Sequence, residues 1–486
     1  MSPSKIARWI VPLAAVLAAC SIPPKPDTPP LRDAAPLGGV PTQAGDAWPA
    51  AEWWKRYGDE QLDALESKAL QGAPSLDEAS TRFGTAEKAI DIARAEAGIS
   101  LDGNVQYQRQ RLSEHGLIPP SFLGFTWYSQ ADLGVQFKYD FDFWGKHRAA
   151  IEAAIDEARA SEAERAAAVL MLTSAVADTY FSWQADQARL ALMEQLVTTL
   201  ERNLKIADLR VAHEIDAPDA LYEARTRLAG AREQREVFAG SAKIRLAALA
   251  ALLGVSPSDV PALTAKPLPT TEGGLPENAS VDLLARRPDI AASRWRVEAA
   301  LRHVDQARAE FYPDVSISAL VGLSSIDMDK VFTGGSRVFN VGPAVHLPIF
   351  EGGRIKARFG ASQAQLDAAA AQYDSVVVAA AQEAATQALT AQQIEARRRE
   401  RATQVAASES LQQTASARSR RGIGDDRSVL TAEAEVLQQR DAATALHAQA
   451  ISSEIALTKA LGGGYRFAGT KASPDAAPSV SQARSQ

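Results

Sequence analysis

The sequence predicts a mixed fold: a homotrimeric 12-stranded transmembrane β-barrel, four strands per chain, on a long α-helical coiled-coil barrel. Three observations predict it. Two segments alternate apolar and polar residues over the length of a membrane-crossing strand. Two others run helical for many turns with almost no breaker. The chain also carries the same pattern twice.

The strand signal is sharpest at 131–143. There Leu133, Val135, Phe137, Tyr139, Phe141 and Phe143 alternate with Gly134, Gln136, Lys138, Asp140 and Asp142. A period of two puts the first set on one face and the second on the other. A run of about eleven residues crosses a bilayer when tilted. The counterpart at 338–349 alternates Phe339, Val341, Pro343, Val345, Leu347 and Ile349 with Asn340, Gly342, Ala344 and His346. Weaker partner strands are expected at 103–112 and 315–324. In the loops between them, Leu117, Ile118, Phe122, Phe125 and Trp127 would form a rim at a lipid interface.

Long helices are expected at 146–212 and 355–421, the first free of Pro and Gly and the second interrupted only by Gly360. At 1.5 Å per residue each is about 100 Å long. Their Ala- and Gln-rich composition suits close helix packing in a coiled coil rather than a thick core. Each turns at a short polar segment, His213 to Asp219 or Gly422 to Arg427, and returns through a shorter helix, at 220–253 or 428–461.

The duplication organises these elements. Pro74-Ser75-Leu76 matches Pro288-Asp289-Ile290, Ala93-Arg94-Ala95-Glu96 matches Ala307-Arg308-Ala309-Glu310, and Leu253-Gly254 matches Leu461-Gly462. The reading is a signal peptide (1–19), an acylated tether (20–49), an equatorial segment (50–72), a first repeat (73–272), a second repeat (273–465) and a disordered tail (466–486). Four membrane strands cannot close a barrel, and bare strand edges are not tolerated in hydrocarbon. Copies of the chain must therefore supply the missing neighbours: two copies give eight strands, three give twelve.

The N-terminus reads as an address. Lys5 and Arg8 precede an apolar run from Trp9 to Ala19, too short to span a bilayer as a helix. Leu17-Ala18-Ala19-Cys20 then resembles a lipobox, which implies acylation of Cys20, the chain's single cysteine. Ser21 in place of aspartate points to the outer membrane. Without a second cysteine the mature chain has no internal disulfide. The net charge of −7 grows by two units when Lys5 and Arg8 are removed, which argues against nucleic acid and against anionic-lipid binding by the chain as a whole.

Catalytic constellations are missing. The six histidines are scattered without His-x-x-x-His spacing, and His213-Glu214 lacks a second zinc-ligating histidine. Gly422-x-Gly424 follows no strand, so it is no dinucleotide loop. No metal, no cofactor and no enzyme activity are expected, and energy for transport must come from partners.

Several strings resemble the TolC-like outer membrane factor family, in its lipidated NodT- or OprM-like branch. Trp53-Trp54-Lys55-Arg56-Tyr57-Gly58-Asp59, followed by Leu62, Leu65 and Ala69-Leu70, is similar to the branch's opening. Arg286-Arg287-Pro288-Asp289-Ile290, followed by Ala299-Ala300, Ala307-Arg308-Ala309 and Tyr312-Pro313, is similar to its most recognisable motif. The resemblance implies a trimer with a periplasmic tunnel, gated at the tip where the long helices turn. Family members often carry aspartates at the positions of Ser428 and Thr431. Here the acids are Asp425 and Asp426, beside Arg427 and behind Gly422 and Gly424, and the family's other turn glycine corresponds to Glu214, ahead of Asp216 and Asp219. Arg427 is expected to pair with Asp216, Asp219 or a neighbouring subunit's acid. The resemblance further implies docking on a periplasmic adaptor and an inner-membrane pump of the resistance–nodulation–division type, and passive export of small toxic molecules. The alternatives are a type I protein-secretion duct and a non-conducting lipid-anchored scaffold.

Overall fold

The computed structural model describes residues 22–25, 27–42, 48–115, 120–271 and 274–467. A 3-10 turn, Trp53–Tyr57, leads into α1 (Glu60–Gly72) and α2 (Pro74–Glu96). Then come β1 (Ser100–Arg111), β2 (Trp127–Phe141), α3 (Lys146–Ala212) and α4 (Pro218–Leu253). The pattern repeats as α5 (Ala279–Arg286), α6 (Pro288–Ala309), β3 (Asp314–Ser325), β4 (Arg337–His346), α7 (Arg354–Arg420) and α8 (Asp426–Ala460). No described helix is long and apolar enough to cross a membrane.

The compact units are not the sequence repeats. One comprises Met1–Leu31, Arg82–Ser161 and Ser293–Tyr373; the other comprises Arg32–Thr81, Glu162–Ala292 and Asp374–Gln486. Each therefore combines matching parts of both repeats.

The first unit holds a single antiparallel sheet in the order β1-β2-β3-β4. Its strands differ from the expected limits. β2 begins at Trp127, within the expected loop, because Trp127 pairs with Arg111 at the end of β1. β4 stops at His346, which pairs with Asp314, the first residue of β3. Beyond it Pro348 has no N–H to extend a ladder, so Leu347 and Ile349 lie outside the strand. Pro343 sits within β4 opposite Ile317; β4 ends the sheet within the chain, so no second strand of the same chain needs its missing N–H.

The second unit is held by a core to which the Trp-Trp string belongs. Trp53, Trp54, Leu62, Leu65 and Ala69 pack with Leu172, Val176, Tyr180 and Phe181 of α3, Leu249 and Leu253 of α4, and Ile451 and Ile455 of α8. Asp59 caps α1 by accepting from Gln61 N, and it also accepts from the Tyr180 hydroxyl (2.6 Å) and Lys266 Nζ (2.7 Å). The Arg-Arg-Pro-Asp string is likewise structural. Arg287 is buried and donates to the Ala460 carbonyl at 2.8 Å, to Glu383 at 2.9 Å and, through two nitrogens, to Asp289. It ties the end of α8 to α7 at the corner where Pro288 opens α6. Gly462 lies against that corner: a Cβ there would stand 1.8 Å from the Arg286 carbonyl oxygen. Its repeat mate Gly254 meets Gly72 in the same way, at 2.4 Å.

The segment expected to be a tether is fastened at several points where it is described. Arg308 donates to the Pro23 carbonyl (3.0 Å) and Lys25 pairs with Asp305 (3.1 Å), all in the first unit. In the second unit, Ala35 and Ser280 exchange two hydrogen bonds, with Ala35 and Leu37 buried. A Pro- and Ala-rich composition could not reveal partners some 250 positions away.

One core group is ionisable. Glu66 of α1 is fully buried, and neither carboxylate oxygen has a hydrogen-bond partner among the described residues. Burial, helped by the charge of Asp63, pushes its carboxyl up to about 9. An unfolded glutamate loses its proton near 4.5 while the folded one keeps it, so stability falls as pH rises from there and levels off only above 9. The cost at pH 7 is on the order of 3 kcal/mol. Glu66→Gln is expected to raise the melting temperature at pH 8 and flatten its fall between pH 5 and 8; an unchanged pH slope in thermal melts would contradict this account.

Candidate functional site: an amphipathic sheet and a clasped helical turn

Register sorts the sheet into two faces. β1 pairs Val105 with Leu133 and Leu101 with Phe137; β2 pairs Val135 with Val321 and Tyr139 with Ile317; β3 pairs Val321 with Phe339 and Ala319 with Val341. Side chains of directly paired residues share a face, so the apolar residues of all four strands lie together. Through the middle of the sheet this face is open among the described residues: Val105, Val321, Phe339 and Val341 are each more than two-thirds exposed. The opposite face is hydrophilic, with Asn104, Gln106, Gln108, Gln130, Asp132, Gln136, Ser318 and Asn340. It is cross-linked by side chains: Gln108 donates to Gln130, Gln130 to Asp132 and the Ser324 hydroxyl to Asp132. An uncovered apolar face behind a hydrogen-bonded polar one is the pattern of a barrel wall in lipid around a wet lumen.

Aromatic residues gather where the sheet meets the helices. Phe141 stacks on Phe143, Trp144 stacks on Tyr312 at 4.5 Å, and the Trp144 indole donates to the Pro313 carbonyl. Of the rim residues expected at the other end, Phe122 is exposed, Trp127 belongs to β2, and Leu117 and Ile118 lie outside the described residues. Phe141 and Phe143 were expected as strand residues; Trp144 was missed because it sits past the end of β2, where alternation no longer marks it.

The second part of the site is the pair of turns joining α3 to α4 and α7 to α8, within the second unit. They are built alike. Glu214 N reaches the Val211 carbonyl and Ile215 N the Arg210 carbonyl; Gly422 N reaches Ser419 and Ile423 N reaches Arg418 in the same pattern. Two residues past the last residue of each helix stands a left-handed one, Gly422 (φ 71°) in one turn and Glu214 (φ 55°) in the other. Gly424 packs so tightly that a Cβ would come 3.2 Å from that of Arg418.

Asp216 is gripped by two arginines. Arg210 donates to both its oxygens at 2.9 Å, and Arg427 donates to Oδ2 at 2.9 Å. The Arg427 contact joins the first turn to the start of α8. Its Asp216 partner is only 16% exposed. The Arg210 hydrogen bond is the main cause that holds the Asp216 carboxyl below its usual range, with both arginine charges adding to it. Of the acids considered as partners for Arg427, Asp216 is the one it reaches. Asp219 accepts from Ala220 N at the start of α4, and Asp426 accepts from the Ser419 hydroxyl. Asp425 is the N-cap of α8, accepting from Ser428 N and the Ser428 hydroxyl, which lowers its pKa. The Thr431 hydroxyl donates back to the Arg427 carbonyl. Arg210 was not among the expected site residues; the signal was its repeat mate Arg418, in the last turn of the other long helix. Ile215 and Ile423, again repeat mates, are left 61% and 75% exposed at the two turns.

A sheet with one lipid-ready face and open edges, joined to paired long helices, defines a membrane β-channel subunit with a helical body. The outer membrane efflux protein family matches residues 65–255 and 279–463, one match per repeat, and the chain belongs to that family. It is an outer-membrane efflux channel protein, not an enzyme. It is 35% identical over 432 residues to the multidrug resistance outer membrane protein MdtP of Shigella flexneri, covering 87% of this chain and 88% of that protein. MdtQ of Escherichia coli O157:H7 is 31% identical over 88% of this chain and 91% of its own length. Among solved structures, the outer membrane protein VceC of Vibrio cholerae superposes with a TM-score of 0.77 at 33% identity, over 86% of this chain and 100% of that one. The fold is TolC-like, and the scaffold alternative is set aside by family membership.

Glu214 pays for a left-handed backbone that glycine adopts freely. Glu214→Gly is expected to stabilise this turn by up to about 1 kcal/mol, seen as slower hydrogen exchange at Ile215 and Asp216. Faster exchange there would mean that the side chain, not the backbone, sets the turn.

Proposed function

We propose that three copies of the chain close a 12-stranded barrel and form the exit duct of a tripartite multidrug efflux system. The observation that carries this reading is the sheet itself: one face is apolar throughout its middle, and β1 and β4 are both left without an outer neighbour in the chain. Pairing β1 of one copy with β4 of the next removes every edge, as hydrocarbon demands. The names of MdtP and MdtQ, both multidrug resistance outer membrane proteins, support small toxic molecules as the cargo. Partners are a periplasmic adaptor and an inner-membrane pump of the resistance–nodulation–division type, met at the helical turns, where Ile215 and Ile423 offer exposed apolar contacts.

Acylated Cys20 anchors each copy to the outer membrane. Cys20 lies outside the described residues, but Pro23 is held by Arg308, near the end of the helix that feeds β3. The Arg427–Asp216–Arg210 clasp holds the tip closed by fixing the first turn to the start of α8. Gly422, Gly424, Asp425, Asp426, Ser428 and Thr431 shape the second turn, and Asp219 starts α4.

Two measurements test this reading. In planar bilayers, Arg427→Ala is expected to raise the open probability of single channels; unchanged opening rules out the clasp as a lock. In cells, Ser428→Cys is expected to present one reactive thiol per chain, since Cys20 is acylated. A photo-crosslinker on it should capture the periplasmic adaptor. Two reactive thiols would refute the lipid anchor, and failure to capture the expressed adaptor would refute docking through this turn.

A further inference from the structure

The lipid-ready face of the sheet is not uniformly neutral. Its residues are the odd-numbered positions of β1 to β4, as the register shows. Among them only three are charged: Arg109, Arg111 and Arg337. All three are arginines, and no acid shares the face. All three also lie at the same end. Arg109 and Arg111 close β1, and Arg337 opens β4 opposite Leu323. This is the end bearing the β1–β2 and β3–β4 loops. The opposite end, from which α2, α3, α6 and α7 leave, carries aromatic residues and no charge on this face.

A solvated surface would mix both signs. A midplane position would penalise an arginine by about 2–4 kcal/mol, whereas a position near the interface costs close to nothing. These side chains fit the headgroup level, with the guanidinium reaching outward along an apolar stem. Arg109 lies over the Trp127 ring at 5.6 Å, Arg111 forms an exposed ion pair with Glu114 at 3.2 Å, and Arg337 is exposed. Planar guanidinium forks match phosphate oxygens two at a time. A one-signed arginine belt at headgroup depth complements an anionic headgroup.

We propose that this belt binds the phosphate groups of an anionic lipid headgroup in the outer leaflet. The inference rests on the trimeric duct reading, which orients the loop end outward. It also sets the geometry: β4 of one copy lies beside β1 of the next, so Arg337 and the Arg109–Arg111 pair of two different copies border one lipid site at each subunit junction. The bound lipid thereby bridges the copies.

The test uses the full-length, detergent-solubilised oligomer and native mass spectrometry. The probes are purified bisphosphorylated lipid A and its phosphate-free derivative. The wild type is expected to retain the phosphorylated lipid at least about tenfold better than the phosphate-free one. Arg109→Gln combined with Arg337→Gln is expected to abolish that preference, while Arg109→Lys combined with Arg337→Lys, which keeps the charge, retains part of it and controls for folding. Equal retention of both lipids, or retention unchanged by the glutamine pair, overturns the proposal. Complete displacement by excess inorganic phosphate assigns the site to a free anion and overturns the lipid source. Channel current is recorded on the same samples. Normal current without lipid preference sinks this proposal alone, whereas loss of current in the wild type sinks the duct reading.

Discussion

An antiparallel sheet of four strands with one apolar face presents two problems at once. Its face needs hydrocarbon, and its edges need partners, because an unpaired backbone N–H or C=O has no water to turn to inside a bilayer. Neither is solved within the chain: β1 and β4 end the sheet, and the apolar residues stand exposed. Barrel closure by identical copies satisfies both, and it explains why the wall is built as it is. Small polar residues and amides on the inner face hydrogen-bond one another across strands, as Gln108, Gln130, Asp132 and Ser324 do. The lumen wall thus keeps its side chains ordered without relying on a packed interior.

The helical part obeys a different constraint. Its core is divided: one cluster surrounds Trp53 and Phe181, and a second joins Met193, Leu196, Leu200, Leu228, Phe238 and Leu437. Alanine-rich stretches gain little from each contact, so polar anchors between helices add specificity. Arg287 fixes α8 to α7 and to the α5–α6 corner, and Arg189 pairs with Asp441 through two hydrogen bonds between α3 and α8. The conspicuous motifs of the sequence are therefore mostly architectural. The Trp-Trp string builds a core and the Arg-Arg-Pro-Asp string builds a corner.

Much of this was legible in the sequence because periodicity is a local property. Alternation marked β2 and β4, and the lack of breakers marked α3 over residues 146–212. The errors lie where nonlocal pairing decides. Trp127 is a strand residue only because Arg111 is opposite, and the segment before Trp53 is fastened only because Arg308 and Ser280 are there to receive it. The candidate site was half visible. Charged residues at the turns drew attention to Asp216 and Arg427, but Arg210 stayed hidden, since a basic residue in the last turn of a helix is ordinary.

Duplication also explains how the clasp arose. The two turns share a backbone design down to individual hydrogen bonds, yet their side chains have diverged at matching places. Arg210 and Arg418 are mates, but the residue two after the left-handed position is Asp216 in one turn and Gly424 in the other. Only the first can therefore chelate its own arginine. The second turn contributes instead the mate of Asp219, which is Arg427, and that cation crosses to Asp216. A perfectly symmetric pair of turns would place an acid and an arginine in each, satisfy each internally and leave nothing to join them. With Gly424 in place of an acid and Arg427 in place of a second Asp219, the two turns are a linked pair rather than two self-contained loops. The difference between the repeats, rather than their likeness, is what supplies the connection between the turns.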